Sequence, residues 1–105
     1  MYAPGVEGPK SVPPGRMDIA VGPNPFDRNT RLSYAVPHRG NVSLTIFDAA
    51  GRTVRTLASG RSEPGRFSAV WDGRSQSGAL VPNGVYMYRY AFDGKCMAGK
   101  LTLIR

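Results

Sequence analysis

The chain has 105 residues, 41% of them apolar, and a formal net charge of +7. That is enough for one domain with a modest core, since domains of this size bury only about two-thirds of the surface their unfolded chains expose. No run approaches the roughly 18 to 20 consecutive apolar residues of a membrane-crossing helix, and a single cysteine, Cys96, excludes an intrachain disulfide and a multi-cysteine metal cluster. The positive charge invites anionic partners, but Arg16, Arg28, Arg31, Arg39, Arg52, Arg55, Arg61, Arg66, Arg74, Arg89 and Arg105 are scattered along the chain. Such scatter argues against nucleic acid.

Residues 1–16 carry Pro4, Gly5, Gly8, Pro9, Pro13, Pro14 and Gly15 with almost no large apolar side chains. They read as a semi-stiff linker, leaving residues 17–105 as the domain. Met1 to Gly5 lack the charged and apolar regions of a secretory signal, so the signal of an exported protein is expected elsewhere. The simplest reading is a piece from the C-terminal end of a longer protein, with Met1 an added start residue.

From Asp18 the side chains alternate with period two, the mark of strands with one buried face. Ile19 and Val21 begin the first, and Pro23-Asn24-Pro25 stops it. Leu32, Tyr34 and Val36 share a face of the second, and Pro37 to Gly40 is a turn. Val42, Leu44 and Ile46 alternate in the third, and Ala50-Gly51 closes a hairpin into a fourth over Thr53 to Leu57, whose arginines suit a sheet edge. Gly60 to Gly65 shows no strand pattern. Phe67, Ala69 and Trp71 share a face of the fifth, and a turn-rich corner, Asp72 to Asn83, leads to the sixth. There Tyr86, Tyr88, Tyr90 and Phe92 form an aromatic stripe opposite Val85, Met87, Arg89 and Ala91. Asp93-Gly94 is a hairpin signal, so the last strand, around Met97 to Ile104, returns antiparallel. Seven short strands without a helical stretch predict an all-β, immunoglobulin-like antiparallel sandwich.

The chemistry-bearing residues are sparse. His38 is the one histidine, so any catalytic triad or histidine-dependent metal site would need it, yet it falls in a turn. Asp18, Asp27, Asp48, Asp72 and Asp93 mostly end strands or begin turns, where Asp accepts backbone N–H bonds. A glycosidase-like carboxylate pair finds little room in so small a domain. Asp72 with Ser75, Ser77 and Asn83 could hold calcium, but offers a single carboxylate. The tyrosine stripe could stack sugars or bases, or pack as core. Its four rings cover a sheet better than the opposite face does, which places it inward with Trp71 packed against it from the facing sheet. Cys96 has no histidine in sequence reach to activate it and reads as a small strand residue. The expectation is a non-enzymatic domain without cofactor or metal.

Five elements occur in order: Asn24-Pro25-Phe26; a hairpin with Ile46, Phe47, Asp48, Gly51, Val54, Arg55 and Leu57; Trp71-Asp72-Gly73; Gly84-Val85-Tyr86 with Tyr88; and the basic-apolar-basic end Lys100-Leu101-Thr102-Leu103-Ile104-Arg105. Together they resemble the FlgD-like immunoglobulin-like domain and the related C-terminal sorting domain of type IX secretion substrates. The resemblance spans Asp18 to Arg105. It implies structural roles for Pro25, Phe26, Gly51, Leu57, Trp71, Asp72, Gly73, Gly84, Tyr86 and Tyr88. It also implies a sorting terminus at Lys100, Leu101, Leu103, Ile104 and Arg105.

A sorting domain directs its parent across the outer membrane and is often removed as the parent is attached, so the implied place is extracellular or on the outer-membrane surface. The implied partners are secretion machinery or neighbouring protein domains. The alternatives are a carbohydrate- or matrix-binding module with a polysaccharide partner, and a flagellar hook-cap scaffold. A hook cap needs a polar, helix-forming region ahead of the sandwich, which residues 1–16 do not resemble. Type IX hosts tend to be lysine-rich, whereas lysine here is limited to Lys10, Lys95 and Lys100. The terminal strand is expected to be read by a receptor through strand-edge hydrogen bonds and charge, and to matter for transport more than for stability.

Overall fold

The computed structural model describes residues 16–105. The linker expected over residues 1–16 lies, but for Arg16, outside the described residues. The strands are β1 (Asp18–Gly22), β2 (Thr30–Val36), β3 (Gly40–Phe47), β4 (Thr53–Ser62), β5 (Gly65–Trp71), β6 (Gly84–Phe92) and β7 (Lys95–Leu103). They form two antiparallel sheets, β1-β2-β5 and β4-β3-β6-β7. This is the immunoglobulin-like sandwich that the alternation predicts, with the fourth strand paired to the third.

Period two decides which side chains meet between the layers. Leu32, Tyr34 and Val36 of β2 and Val42, Leu44 and Ile46 of β3 are buried. From β6, Tyr86, Tyr90 and Phe92 join them, and Leu101 and Leu103 come from β7. Trp71 is fully buried and meets Tyr86 across the sandwich edge-on at 5.2 Å. The tyrosine stripe therefore faces inward. Buried Thr30 is satisfied by donating its hydroxyl to the Pro23 carbonyl at 2.6 Å, as buried polar groups require.

One expectation needs correction. Gly60 to Gly65, read as carrying no strand, is almost wholly extended: β4 runs on to Ser62 and β5 starts at Gly65. Pairing with β3 decides this, placing Gly60, Arg61 and Ser62 opposite Val42, Asn41 and Gly40. A ladder is made of backbone groups and needs no apolar alternation. Phe67 shares the inward face of β5 but stands at the margin of the sheet and is 37% exposed.

Register shifts between Leu44 and Thr45 and between Ile46 and Phe47 leave Leu57 and Val54 as extra residues on β4. Such bulges bend a strand and re-aim side chains. Both residues pack against the core, although simple alternation would send them to opposite faces. The outer face of the smaller sheet holds one buried apolar residue, Ala35. In register it lies between Asp18 and Arg66, whose side chains join over it at 3.3 Å. Tyr88, half-buried, lies against Gly99, where an added Cβ would come within 2.6 Å of its ring. Glycine at 99 makes room for the aromatic.

Candidate functional site

The corner between β5 and β6 is built on Trp71, whose indole N–H donates to the Arg74 carbonyl at 2.9 Å. Its ring also meets Phe26 at 5.5 Å. The chain then turns through Gly73 at φ +73°. That left-handed conformation, together with a Cβ position only 2.8 Å from the Arg105 guanidinium, explains the glycine. The Gly73 carbonyl accepts from Val81 N–H and Arg105 Nη2, both at 3.0 Å. Arg105 Nη1 reaches the Val81 carbonyl at 2.6 Å, and Asn83 Oδ1 accepts Arg105 N–H at 3.1 Å. Tyr86 donates its hydroxyl to the Pro82 carbonyl at 2.6 Å. The Trp-Asp-Gly element, the Gly84-Val85-Tyr86 element and the terminal arginine thus form one bonded corner.

Asn24-Pro25-Phe26 closes the outer edge of β7. Asn24 Nδ2 donates to the Lys100 carbonyl and its Oδ1 accepts Thr102 N–H, each at 2.9 Å. Phe26 N–H donates to the Thr102 carbonyl, and the Phe26 carbonyl accepts Ile104 N–H, again at 2.9 Å. This corrects the expectation that Lys100 to Arg105 could be read through strand-edge hydrogen bonds. Along Lys100 to Ile104 that edge is occupied by the chain itself. Leu101 and Leu103 are fully buried, so removing the segment would empty the core. Lys100, Ile104 and Arg105 stay exposed at this end, and of these Arg105 is bonded into the corner by its guanidinium.

The Asp48 hairpin is held by its own carboxylate, which accepts Ala50 N–H at 3.0 Å, Arg52 N–H at 2.9 Å and Arg52 Nε at 3.0 Å. The Arg52 backbone N–H is the chief influence that lowers the Asp48 pKa below the usual carboxylate value. Gly51, at φ +86°, supplies the turn. Asp72 lies 3.8 Å from Arg55 and 3.9 Å from Arg74. Ser75 Oγ and Ser77 Oγ bond each other at 2.9 Å. The oxygens considered for calcium are thus turned to arginine and to one another. Gln76 lies along the β4 edge, donating its N–H to the Val54 carbonyl at 2.8 Å and accepting Thr56 N–H at 2.9 Å.

Among the described residues no group of three or more His, Cys, Asp or Glu is placed to hold a metal. His38 is exposed, 3.5 Å from Asp93 and edge-on to Phe92; Cys96 is free and exposed on β7. A shallow cleft of about 430 Å³ opens between the Asp48 turn and Pro82 to Tyr86. Its charged groups, Asp48 and Arg52, already bond each other. Tyr86 and Tyr90, two of the rings considered for stacking a sugar or base, are buried in the core with Trp71. What this end of the molecule supplies is a closed, hydrogen-bonded corner and well-defined sheet edges.

A family model described as the FlgD Ig-like domain matches residues 27–99. The chain belongs to the FlgD Ig-like domain family. The match stops just inside the two segments, Asn24–Phe26 and Lys100–Arg105, that bond to each other along β7. The basal-body rod modification protein FlgD of Salmonella typhimurium is 47% identical over 45 residues, 43% of this chain and 19% of that protein. This FlgD-like chain thus matches about a fifth of its curated relative. Among solved structures, dimeric latent PorU from Porphyromonas gingivalis superposes with a TM-score of 0.70 and 25% identity, over 89% of this chain and 10% of PorU. FlgD from P. aeruginosa gives 0.57 and 27%, over 88% of this chain and 75% of that one. PorZ, described as an essential surface component of the type IX secretion system of P. gingivalis, shares the fold at 0.56 and 24%, over 83% and 11%.

Sequence reasoning found the glycines and aromatics of this FlgD-like corner because turn chemistry and period two are local. It missed Asn24 as the cover of β7 and Gln76 as the cover of β4. The amide between two prolines was a signal for the first, since proline keeps a segment from simply continuing the ladder. Gln76 carried none.

Proposed function

We propose that this domain is a non-enzymatic module of a larger secreted or cell-surface bacterial protein, acting as a sorting or attachment signal on the outer-membrane surface. The observation that carries the reading is the superposition of nearly the whole chain on a tenth of PorU: the same fold serves there as one part of a much longer chain. The resemblance of the five ordered elements to type IX sorting domains adds the address. Recognition would then rest on exposed side chains of the folded domain, Lys100 and Ile104 among them, since the strand edge is taken.

The test is to fuse the chain to a periplasmic reporter in a host with type IX machinery. Deleting the terminus is unsuitable, because Leu101 and Leu103 are core residues. Lys100→Glu with Ile104→Asp keeps the core and changes the exposed side chains. Delivery of the parent fusion to the surface, impaired by this pair, is expected; a folded fusion that stays in the periplasm overturns the sorting role. A FlgD-type assembly scaffold is the second reading, favoured by the 47% identity over 45 residues with the Salmonella protein. It gains if the folded fusion is retained while the domain binds a structural subunit of an extracellular assembly.

A further inference from the structure

The three-stranded sheet is one strand narrower than the sheet it faces. Phe26, just after β1, pairs with Leu103 of β7, and the Tyr34 ring of β2 meets the Tyr90 ring of β6 at a tilt, 5.2 Å between centroids. Constant-type immunoglobulin sandwiches place a fourth strand beside the equivalent of β5. Here the chain has put that strand in the other sheet.

The edges are unequal. β7 is closed by Asn24 and Phe26, β4 is bulged twice and bonded to Gln76, and β1 has five residues before Pro23. β5 has seven residues in unshifted register with β2. Among the described residues, no hydrogen bond from a segment other than β2 reaches its backbone. Such an edge presents a row of unpaired N–H and C=O groups, which proteins usually blunt. Phe67 and Val70, on opposite faces of β5, are 37% and 49% exposed. Each lacks the cover that one more strand would bring.

Charge selects the partner. Arg31, opposite Val70 in the β2–β5 register, is in no ion pair among the described residues, while the nearby carboxylates are already neutralised, Asp18 by Arg66, Glu63 by Arg39 and Asp72 by Arg55 and Arg74. A second copy is disfavoured: two chains of +7 repel, and one strand pair falls well short of the roughly 1,200 Å² of a stable interface. We propose that the free edge of β5 accepts an extended acidic segment of a partner protein as a fourth strand of the smaller sheet. Backbone hydrogen bonds supply affinity, an apolar side chain of the segment covers Phe67, and its carboxylates face Arg31 and the net positive charge of the chain. This inference stands whichever reading of the domain's role holds.

The experiment titrates the isotope-labelled full chain with a synthetic peptide of the length of β5, alternating valine and threonine between terminal aspartates. The comparison peptide carries lysine in place of aspartate. Amide shifts and slowed hydrogen exchange over Gly65 to Trp71 are expected with the acidic peptide, weakening as salt rises and much reduced with the lysine version. Phe67→Ser and Val70→Glu, at partly exposed positions, should each weaken binding of the acidic peptide at least several-fold while the melting curve stays cooperative. Should one fail to fold, the other carries the test. Shifts confined to β7 or β4, equal binding of the two peptides, or no shift at all would overturn the proposal. So would protection of β5 that rises with protein concentration in the absence of peptide, since that would make a second copy the occupant.

Discussion

The hydroxyl of Tyr90 crosses the sandwich to donate to the Ala35 carbonyl oxygen at 2.6 Å. It ties the third strand of the larger sheet to the central strand of the smaller one in a region without solvent access. Ala35 is also the residue closed over by the Asp18–Arg66 pair. One residue therefore anchors both the inner and the outer side of β2.

Tyr90→Phe keeps the ring and removes the donor, leaving a buried carbonyl with one partner fewer. A loss of about 1 to 3 kcal/mol is expected, read as a lower urea midpoint at unchanged slope. An unchanged midpoint would mean that water replaces the hydroxyl.

Burial pushes the Tyr90 phenol up to about 12 from an ordinary value of 10.0, with neighbouring Tyr34 adding to the rise. Burial likewise raises Tyr34, and raises Tyr86 against the pull of Arg105. The folded chain holds the Tyr90 proton more tightly than the unfolded chain. Its contribution is therefore complete below the unfolded pKa and is lost as pH rises through the folded one, at most about 2 to 3 kcal/mol. Absorbance titration should show these tyrosines ionising late, together with loss of far-ultraviolet structure; early, reversible ionisation of all tyrosines would contradict their burial.

Trp71→Ala empties the largest fully buried site and removes the indole bond to Arg74, for an expected loss of about 3 to 5 kcal/mol. Phe67→Ala, on the same face but partly exposed, should cost clearly less. Denaturant melts of the two variants side by side would expose an error in the core assignment if their midpoints coincided.

Asn24→Ala deletes two hydrogen bonds to β7 and frees part of its edge. A loss of roughly 1 to 3 kcal/mol is expected. Faster amide exchange at Thr102 should accompany it, along with a greater tendency to self-associate as the edge is uncovered. Unaltered exchange at Thr102 would show that Phe26 alone holds the edge.

The order of the strands, the inward tyrosine stripe, the Asp48-to-Gly51 and Asp93-Gly94 turns and the burial of Trp71 were legible in the chain. Each rests on alternation or on turn chemistry within a few residues. Tertiary structure alone decided that β4 extends to Ser62 and bulges Val54 and Leu57 inward. It also decided that Ala35 is covered by an ion pair, and that Lys100 to Arg105 is built into the sandwich. The reason is distance along the chain: Asn24 meets Lys100 from 76 residues away, and Arg66 meets Asp18 from 48. A period-two pattern tells a side chain which face to take, but not which backbone lies beside it.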